Sequence, residues 1–429
     1  MAKIIFIGAG SVVFAKRLIM DILSYPELSN SEIALMDINK ERLDLIYALT
    51  KKLIEKMNCN AKVTATLDRR EALDGADYVI NMIQVGGLEM FEKDCEIPRR
   101  YGIDQTVGDT IGPGGVFRGL RTIPVLLDIA KDMSELCPNA LFINYSNPMA
   151  INCWAMNKAT KIKNVGLCHS VQGTAMQLAN YVGVDPEKIS YWVAGINHMA
   201  WFLEFSLDGE DLYPRLWKAM EDPGIYIKDA VRFEIMKHFD YFVTESTHHM
   251  SEYVPYFRRN TQRVKELIPQ RWDYLEICKN GWQPHYEKIK REISGEEPII
   301  IERSHEYASN IIYSMETGIP CRINGNVNND NLITNLPKDC CVEVPCLVDK
   351  TGIHPCFVGD LPPQCAGLNR ANINLQELTV IAALEKDARK AAQAVMLDPL
   401  TASILEPRDI QKMVDELFQA EKEWIDIKI

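Results

Sequence analysis

The chain has 429 residues, 47% hydrophobic and 25% charged, with a formal net charge of −12. That length predicts two domains, or one large domain with insertions. The acidic balance excludes nucleic acid as the main partner, because phosphate binding rests on clustered Lys and Arg, and a basic pair such as Arg258-Arg259 is read as a solvated face.

In chain order, the first half alternates short apolar runs with amphipathic segments. Residues 4–7, 33–36, 78–83, 141–145 and 165–167 read as buried parallel strands, and 41–57 and 122–136 have helical periodicity. Such alternation predicts an α/β doubly wound sheet. The second half is less regular. It holds polar-aromatic segments over 213–286, strand-like pieces around 340–348 and a helix from about 375 to 396. A boundary is placed where the alternation fades, dividing the chain into 1–196 and 197–429. The apolar N-terminus is too short for a signal peptide, and no apolar run is long enough to cross a membrane. Twelve cysteines without regular spacing point to a reducing cytoplasm rather than a disulfide framework.

The first strand ends in Gly8-Ala9-Gly10-Ser11. Glycine at both positions permits a tight turn and close approach of the backbone to a pyrophosphate, and the helix starting near Val12 offers free N–H groups to that anion. The third glycine of the usual pattern is absent, since Val13 and Phe14 occupy that region. The second strand ends in Asp37, whose carboxylate can accept both ribose hydroxyls and would repel a 2′-phosphate, which favours NAD over NADP. Gln84, just past the strand at 78–83, is counted with these cofactor contacts. The plainer reading is a tight turn with no cofactor. The first domain is therefore expected to be NAD-binding and Rossmann-like.

The stretch GLCHSVQGT places Cys168 beside His169 after another apolar run. Alone it could hold a metal ligand, a nucleophile with its base, or two residues at a strand end. Thirty residues on, AGINHMAWF presents Asn197 and His198. A thiolate and an imidazole together suit a divalent transition metal with positions open to substrate oxygens. Asn144 and Asn147, in INYSNPM, close a further strand of the same sheet. The segment GDTIGPGGVFRGLRT at 108–122 lacks the lysine of a phosphate loop and is read as a shaping loop over the cofactor. Asp109 is its chemical participant, Arg118 an oxyanion or cofactor contact, and Arg121 a candidate for either a chemical or a structural role.

Taken together, GAGS, GDTIGPGG, NYSNPM, GLCHSV, GINH and VEVPCLVDKTGIHPCFVGDLPPQ resemble family four of the glycoside hydrolases, in the family's order, from residue 3 to about 417. The resemblance implies a fold related to lactate and malate dehydrogenases, with a Rossmann-like domain followed by an α+β domain for substrate, metal and oligomerisation. It implies NAD and Mn2+ or another divalent metal as cofactors, an α-glycoside substrate, and a homodimer or homotetramer. Cys168-His169-Ser170-Val171 is similar to the α-galactosidase (melibiase) version of its motif. The phospho-glycosidase branch has aspartate in place of His169, and the α-galacturonidase branch tends to have glutamate where Ser170 stands.

The chemistry so implied is oxidation at sugar C3, deprotonation at C2, elimination at C1, addition of water and re-reduction. By the resemblance, Cys168 and His198 match the metal ligands and His169 the proton donor to the leaving oxygen. Asn147 matches a substrate and metal contact, Asp109 an acid that raises the basicity of the base, and His249 a residue lining the sugar site. For the base, the segment YFVTESTHHMSEYVPYF offers Tyr253, with Tyr256 and Glu245 as rivals. Alternatives are α-galacturonidase or α-glucosidase activity, an NAD-dependent hydroxy-acid dehydrogenase, and a non-catalytic NAD-responsive regulator.

Overall fold

In the computed structural model, which describes residues 1–428, the apolar runs of the first half form β1 (Lys3–Ile7), β2 (Glu32–Met36), β3 (Lys62–Thr66), β4 (Tyr78–Asn81), β5 (Leu141–Asn144) and β6 (Asn164–Gly166). These six are parallel in the order β3-β2-β1-β4-β5-β6, the arrangement of dinucleotide-binding sheets. Ile4, Phe6, Ile33 and Leu35 pack into the core on one face, and Ile5, Ile7, Ala34 and Met36 into the core on the other. Burial on both faces explains why β1 and β2 read as continuous apolar runs rather than alternations.

The sheet does not stop at β6. It continues through β7 (Ile189–Ile196), β8 (Met199–Leu207), β9 (Glu210–Asp211), β10 (Cys321–Asn328) and β11 (Cys341–Asp349), with β12 (Gly352–Pro355) paired to β11. The order beyond β6 is β10-β11-β7-β8-β9, all antiparallel. Asn326 of β10 opposes Gly166, and Glu343 of β11 opposes both Asn326 and Gly195 of β7. The division expected between residues 196 and 197 falls in the two-residue turn of the β7–β8 hairpin, where Ile196 opposes Met199.

Three expectations are corrected. The glycine-rich segment is a loop only to Ile111, and from there it is the start of the helix Gly112–Leu136. A Cβ at Gly114 would lie 2.5 Å from the Gly108 carbonyl oxygen, and one at Gly115 2.5 Å from the Thr110 carbonyl carbon. These glycines therefore let the helix fold back against its own entry loop, and Pro113 suits the first turn. The C-terminal helix expected at 375–396 is two helices, Pro363–Glu385 and Ala388–Met396. Lys386 turns left-handed (φ 55°) between them, and Asp387 caps the second by accepting from the N–H groups of Arg389 and Lys390. Arg258 is no solvated face: it is 6% exposed and donates to Ser251 Oγ, the Asp104 carbonyl and Thr106 Oγ1. Arg121 is structural in its contacts. Fully buried, it bonds both carboxylate oxygens of Asp94 at 2.9 and 2.5 Å and Glu421 at 2.8 Å, tying the helix Gly112–Leu136 to the C-terminal segment.

Candidate active site

The parallel strands end together, so Gly8, Gln84, Asn147 and Cys168 leave the sheet at one edge, where doubly wound folds bind ligands. The N–H groups of Gly8 and Ala9 both donate to Met36 O at 3.0 Å, pulling the turn onto β2. Gly10 N donates to Asp37 Oδ2 at 2.7 Å, and a Cβ on Gly10 would lie 2.8 Å from that oxygen and from Arg42 Cβ. The first helix begins at Phe14, with Ser11 Oγ accepting from Phe14 N at 3.3 Å. Gln84 is exposed on the loop after β4. A turn with glycine at two positions, a helix N-terminus and an acidic residue at the end of β2 fit a dinucleotide.

Cys168 and His198 do meet. Sγ and Nε2 are 3.3 Å apart, although 30 residues separate them. Glu245 joins them: one ligand atom from each of the three lies within 4.8 Å of the others. His198 is the second residue of the β7–β8 turn and is left-handed at φ 63°, an unfavourable backbone for a residue with a Cβ. The strain is local to the group that faces the cysteine. Burial lowers the pKa of His198 and so keeps a neutral imidazole, the form that binds metal. Burial pushes the Cys168 thiol well above its ordinary value, with Glu245 and Glu343 adding to the rise. Burial also pushes Glu245 upward, but His249, His198, His169 and Arg232 outweigh it and leave the carboxyl below its ordinary value. Glu245 Oε2 and His198 Nδ1 are buried without a hydrogen-bond partner among the described residues. A thiol, an imidazole and an ionised carboxylate, each with spare donor capacity, fit a divalent transition metal.

Around this cluster stand the other expected residues. His249 packs edge-on against His198, with ring centroids 4.6 Å apart, and its Nδ1 lies 2.8 Å from Ser246 Oγ. Burial lowers its pKa to about 3. Tyr253 is 3% exposed, its ring 6.4 Å from that of His198, and its hydroxyl donates to Thr110 Oγ1 at 3.1 Å. Burial raises this phenol well above its ordinary value, with Asp109 among the contributors. Asn147 Nδ2 donates to Asp109 Oδ2 at 2.9 Å, while Arg118 Nε donates to the Asn147 carbonyl at 3.2 Å. His169 immediately precedes the helix Ser170–Val182 without a capping hydrogen bond and is largely exposed, with Nδ1 3.8 Å from Glu306. Tyr256, the rival to Tyr253, is 46% exposed and takes no part in the cluster.

Four carboxylates carry more of this site than their sequence context signalled. Glu245, a rival for the base, stands beside Cys168 and His198, with an oxygen within 4.8 Å of both. Glu306 stands beside His169 from the segment before the helix Tyr307–Thr317. Glu252, adjacent to Tyr253, accepts from the backbone N–H groups of Thr106, Val107 and Gly108, and so fixes the loop that carries Asp109. Glu343 lies fully buried on β11. A strand reading polar at every second position was the available signal for the last, and the run VEVP offers it only once.

Known proteins resemble the chain along its whole length. Residues 3–184 match the model of the family 4 glycosyl hydrolases, and 193–401 match the model of their C-terminal domain. The chain is 46% identical over 429 residues to an α-galactosidase of Bacillus subtilis (strain 168), covering 99% of each. It is 39% identical over 436 residues to an α-galactosidase of Rhizobium meliloti (strain 1021), covering 99% of this chain and 89% of that one. An α-galacturonidase of Lachnoclostridium phytofermentans is 31% identical, with 99% and 96% covered. The lplD protein of Bacillus subtilis superposes with a TM-score of 0.87 at 27% identity, over 97% of this chain and 99% of that one. The 6-phospho-β-glucosidase of Thermotoga maritima, solved with manganese, NAD+ and glucose-6-phosphate, superposes at 0.83 and 22% identity over 99% and 100%. The malate dehydrogenase of Plasmodium falciparum shares the fold, at a TM-score of 0.52 and 13% identity over 90% and 99%. With both halves matched and relatives aligned end to end, the chain belongs to the family 4 glycosyl hydrolases.

Proposed function

We propose that the protein is an α-galactosidase that cleaves α-galactosides of the melibiose type, with NAD and a divalent metal, Mn2+, as cofactors. The observation that carries this reading is the 46% identity to an α-galactosidase across 99% of both chains. The Cys168–His198–Glu245 cluster beside a dinucleotide turn supports it, since hydroxy-acid dehydrogenase chemistry needs no thiolate site.

In this reading Gly8, Gly10, Ser11, Asp37 and Gln84 hold NAD, and Cys168 and His198 hold the metal with Glu245 beside them. When bound, the two cofactors supply a hydride acceptor and a Lewis acid, which together make the hydrogen at sugar C2 acidic. Tyr253 takes that proton as its phenolate, after giving up its own proton to solvent, with Thr110 orienting the oxygen. Asp109 stabilises the protonated phenol and so keeps its anion strongly basic. His169 gives a proton to the departing oxygen at C1, an exposed imidazole being able to exchange it with solvent afterwards. Asn147 and His249 line the sugar site. Among the described residues no helix is long and apolar enough to cross a membrane, and all twelve cysteines are free. We place the enzyme in the cytoplasm, as a homodimer or homotetramer.

The test is the cofactor dependence of nitrophenyl α-galactoside cleavage. Cleavage is expected only with NAD+, Mn2+ and a thiol reductant, and activity that survives removal of NAD+ would sink the mechanism. In deuterated water the product galactose gains deuterium at C2, and its absence argues against elimination. Faster cleavage of a galacturonide, the activity named for the 31%-identical relative, would move the substrate and keep the chemistry.

A further inference from the structure

Glu343 has no role in the mechanism above, yet its position is costly. It is 0% exposed, on an interior strand, and among the described residues neither carboxyl oxygen has a hydrogen-bond partner or an ion-pair partner. A buried acid left in this state destabilises the fold unless something compensates. Strand pairing places it. Gly166, Asn326, Glu343 and Gly195 form one row across β6, β10, β11 and β7. Cys168 follows Gly166 by two residues, and Asn197, which opens the turn with His198, follows Gly195 by two. Asn197 is itself 2% exposed, and its Nδ2 is an unpartnered buried donor. Asn326 Oδ1 is unpartnered in the same way. Unsatisfied groups from β10, β11 and the β7–β8 turn thus gather beside Cys168 and His198. Partners aligned behind metal ligands characteristically orient the ligands and set the affinity of the site.

We propose that Glu343 is a positioning residue of the metal centre, acting through Asn197 on the turn that presents His198 and adding an acidic group behind Cys168. It touches neither substrate nor cofactor. The inference rests on the reading of Cys168 and His198 as metal ligands. A glutamine at this place keeps the shape and the hydrogen-bonding reach of the side chain but not its capacity for charge.

Mn2+ binding to the purified full-length protein, followed by calorimetry and by the electron paramagnetic resonance signal of free Mn2+, tests it. Glu343→Gln is expected to raise the Mn2+ Kd at least tenfold. NAD+ affinity should stay within twofold, and the Tm of the metal-free protein should be unchanged or higher. Asn197→Ala should weaken Mn2+ binding in the same direction. An Mn2+ Kd within twofold of the parent in Glu343→Gln overturns the proposal. So does a joint fall of NAD+ affinity and metal-free Tm, which marks a residue that only holds the sheet together. Loss of Mn2+ binding in Cys168→Ser supports the underlying metal reading independently. A parent protein that binds no Mn2+ overturns both.

Discussion

Replacing Glu252 by alanine should be the most damaging single change outside the cofactor sites. The side chain is 1% exposed. Its Oε1 accepts from Thr106 N at 2.6 Å, Val107 N at 2.9 Å and Thr106 Oγ1 at 3.1 Å; its Oε2 accepts from Gly108 N and Gln105 Nε2, both at 3.1 Å. Arg258 Nη2 stands 3.5 Å away. One hydrogen bond to a charged group contributes roughly 1.5–3 kcal/mol, but bonds to a single carboxylate are not additive. The better measure is the loss of one partner from a buried ionic cluster, about 3–5 kcal/mol. Removal leaves three backbone N–H groups and a guanidinium short of an acceptor, so we expect about 4 kcal/mol. Set against a typical total stability of roughly 5–15 kcal/mol, that is a large fraction. Urea unfolding followed by tryptophan fluorescence measures the loss, and hydrogen exchange reads whether the amides of Thr106, Val107 and Gly108 become unprotected. A loss under about 1 kcal/mol with those amides still protected would refute the reasoning, since it would mean that the loop holds itself.

Further outcomes concern pH, metal and cofactor. Burial raises the Asp398 pKa from 3.8 to about 6, so the folded state holds its proton more tightly and stability falls as pH rises through that window. Asp398→Asn keeps the cap on Thr401 and should gain up to about 3 kcal/mol at pH 7.5 but nothing near pH 3.5, by urea unfolding at each pH. An equal gain at both would assign the effect to something other than titration. Cys168→Ser should lose Mn2+-dependent cleavage by at least a hundredfold and weaken Mn2+ binding in calorimetry, whereas a cysteine that merely packs would tolerate the change. Asp37→Ser removes the acceptor at the end of β2 and should narrow the preference for NAD+ over NADP+ at least tenfold in fluorescence titrations. An unchanged ratio would detach Asp37 from the ribose.

The parallel half of the fold was legible because each of its strands is buried on both faces and announces itself as an apolar run between amphipathic helices. β1 and β2 were bounded to within a residue. The start of the helix at Gly112 was not, because its glycines look like a flexible loop and serve instead to admit the Thr110 and Gly108 backbone. The break at Lys386 was hidden for the opposite reason: Leu384 and Glu385 before it and Ala388 and Arg389 after it favour helix, which leaves the capping Asp387 as its one local sign. At the site, Cys168 and His198 were visible through the resemblance, and their meeting depends on pairings between β6, β10, β11 and β7 that no local pattern encodes. The place of Glu245 beside this pair escaped for the same reason, and so did Glu343. A lone acid has no periodicity of its own, and only the packing of distant elements reveals what it faces.

The order of strands also governs how the molecule can be made. β6 and β7 are separated by only 22 residues in the chain, yet in the sheet β10 and β11 lie between them. A nascent chain that has left the ribosome as far as residue 320 therefore carries both Cys168 and His198 but lacks the two strands that set their spacing. Until residue 349 follows, β6 and the β7–β8 hairpin each present an unpaired edge, and direct pairing between them would close the wrong sheet. Such late, non-local insertion slows folding and prolongs exposure to aggregation. The metal centre is consequently a product of the last third of synthesis, and a chain truncated before β10 retains every assigned metal ligand without the scaffold that brings them together.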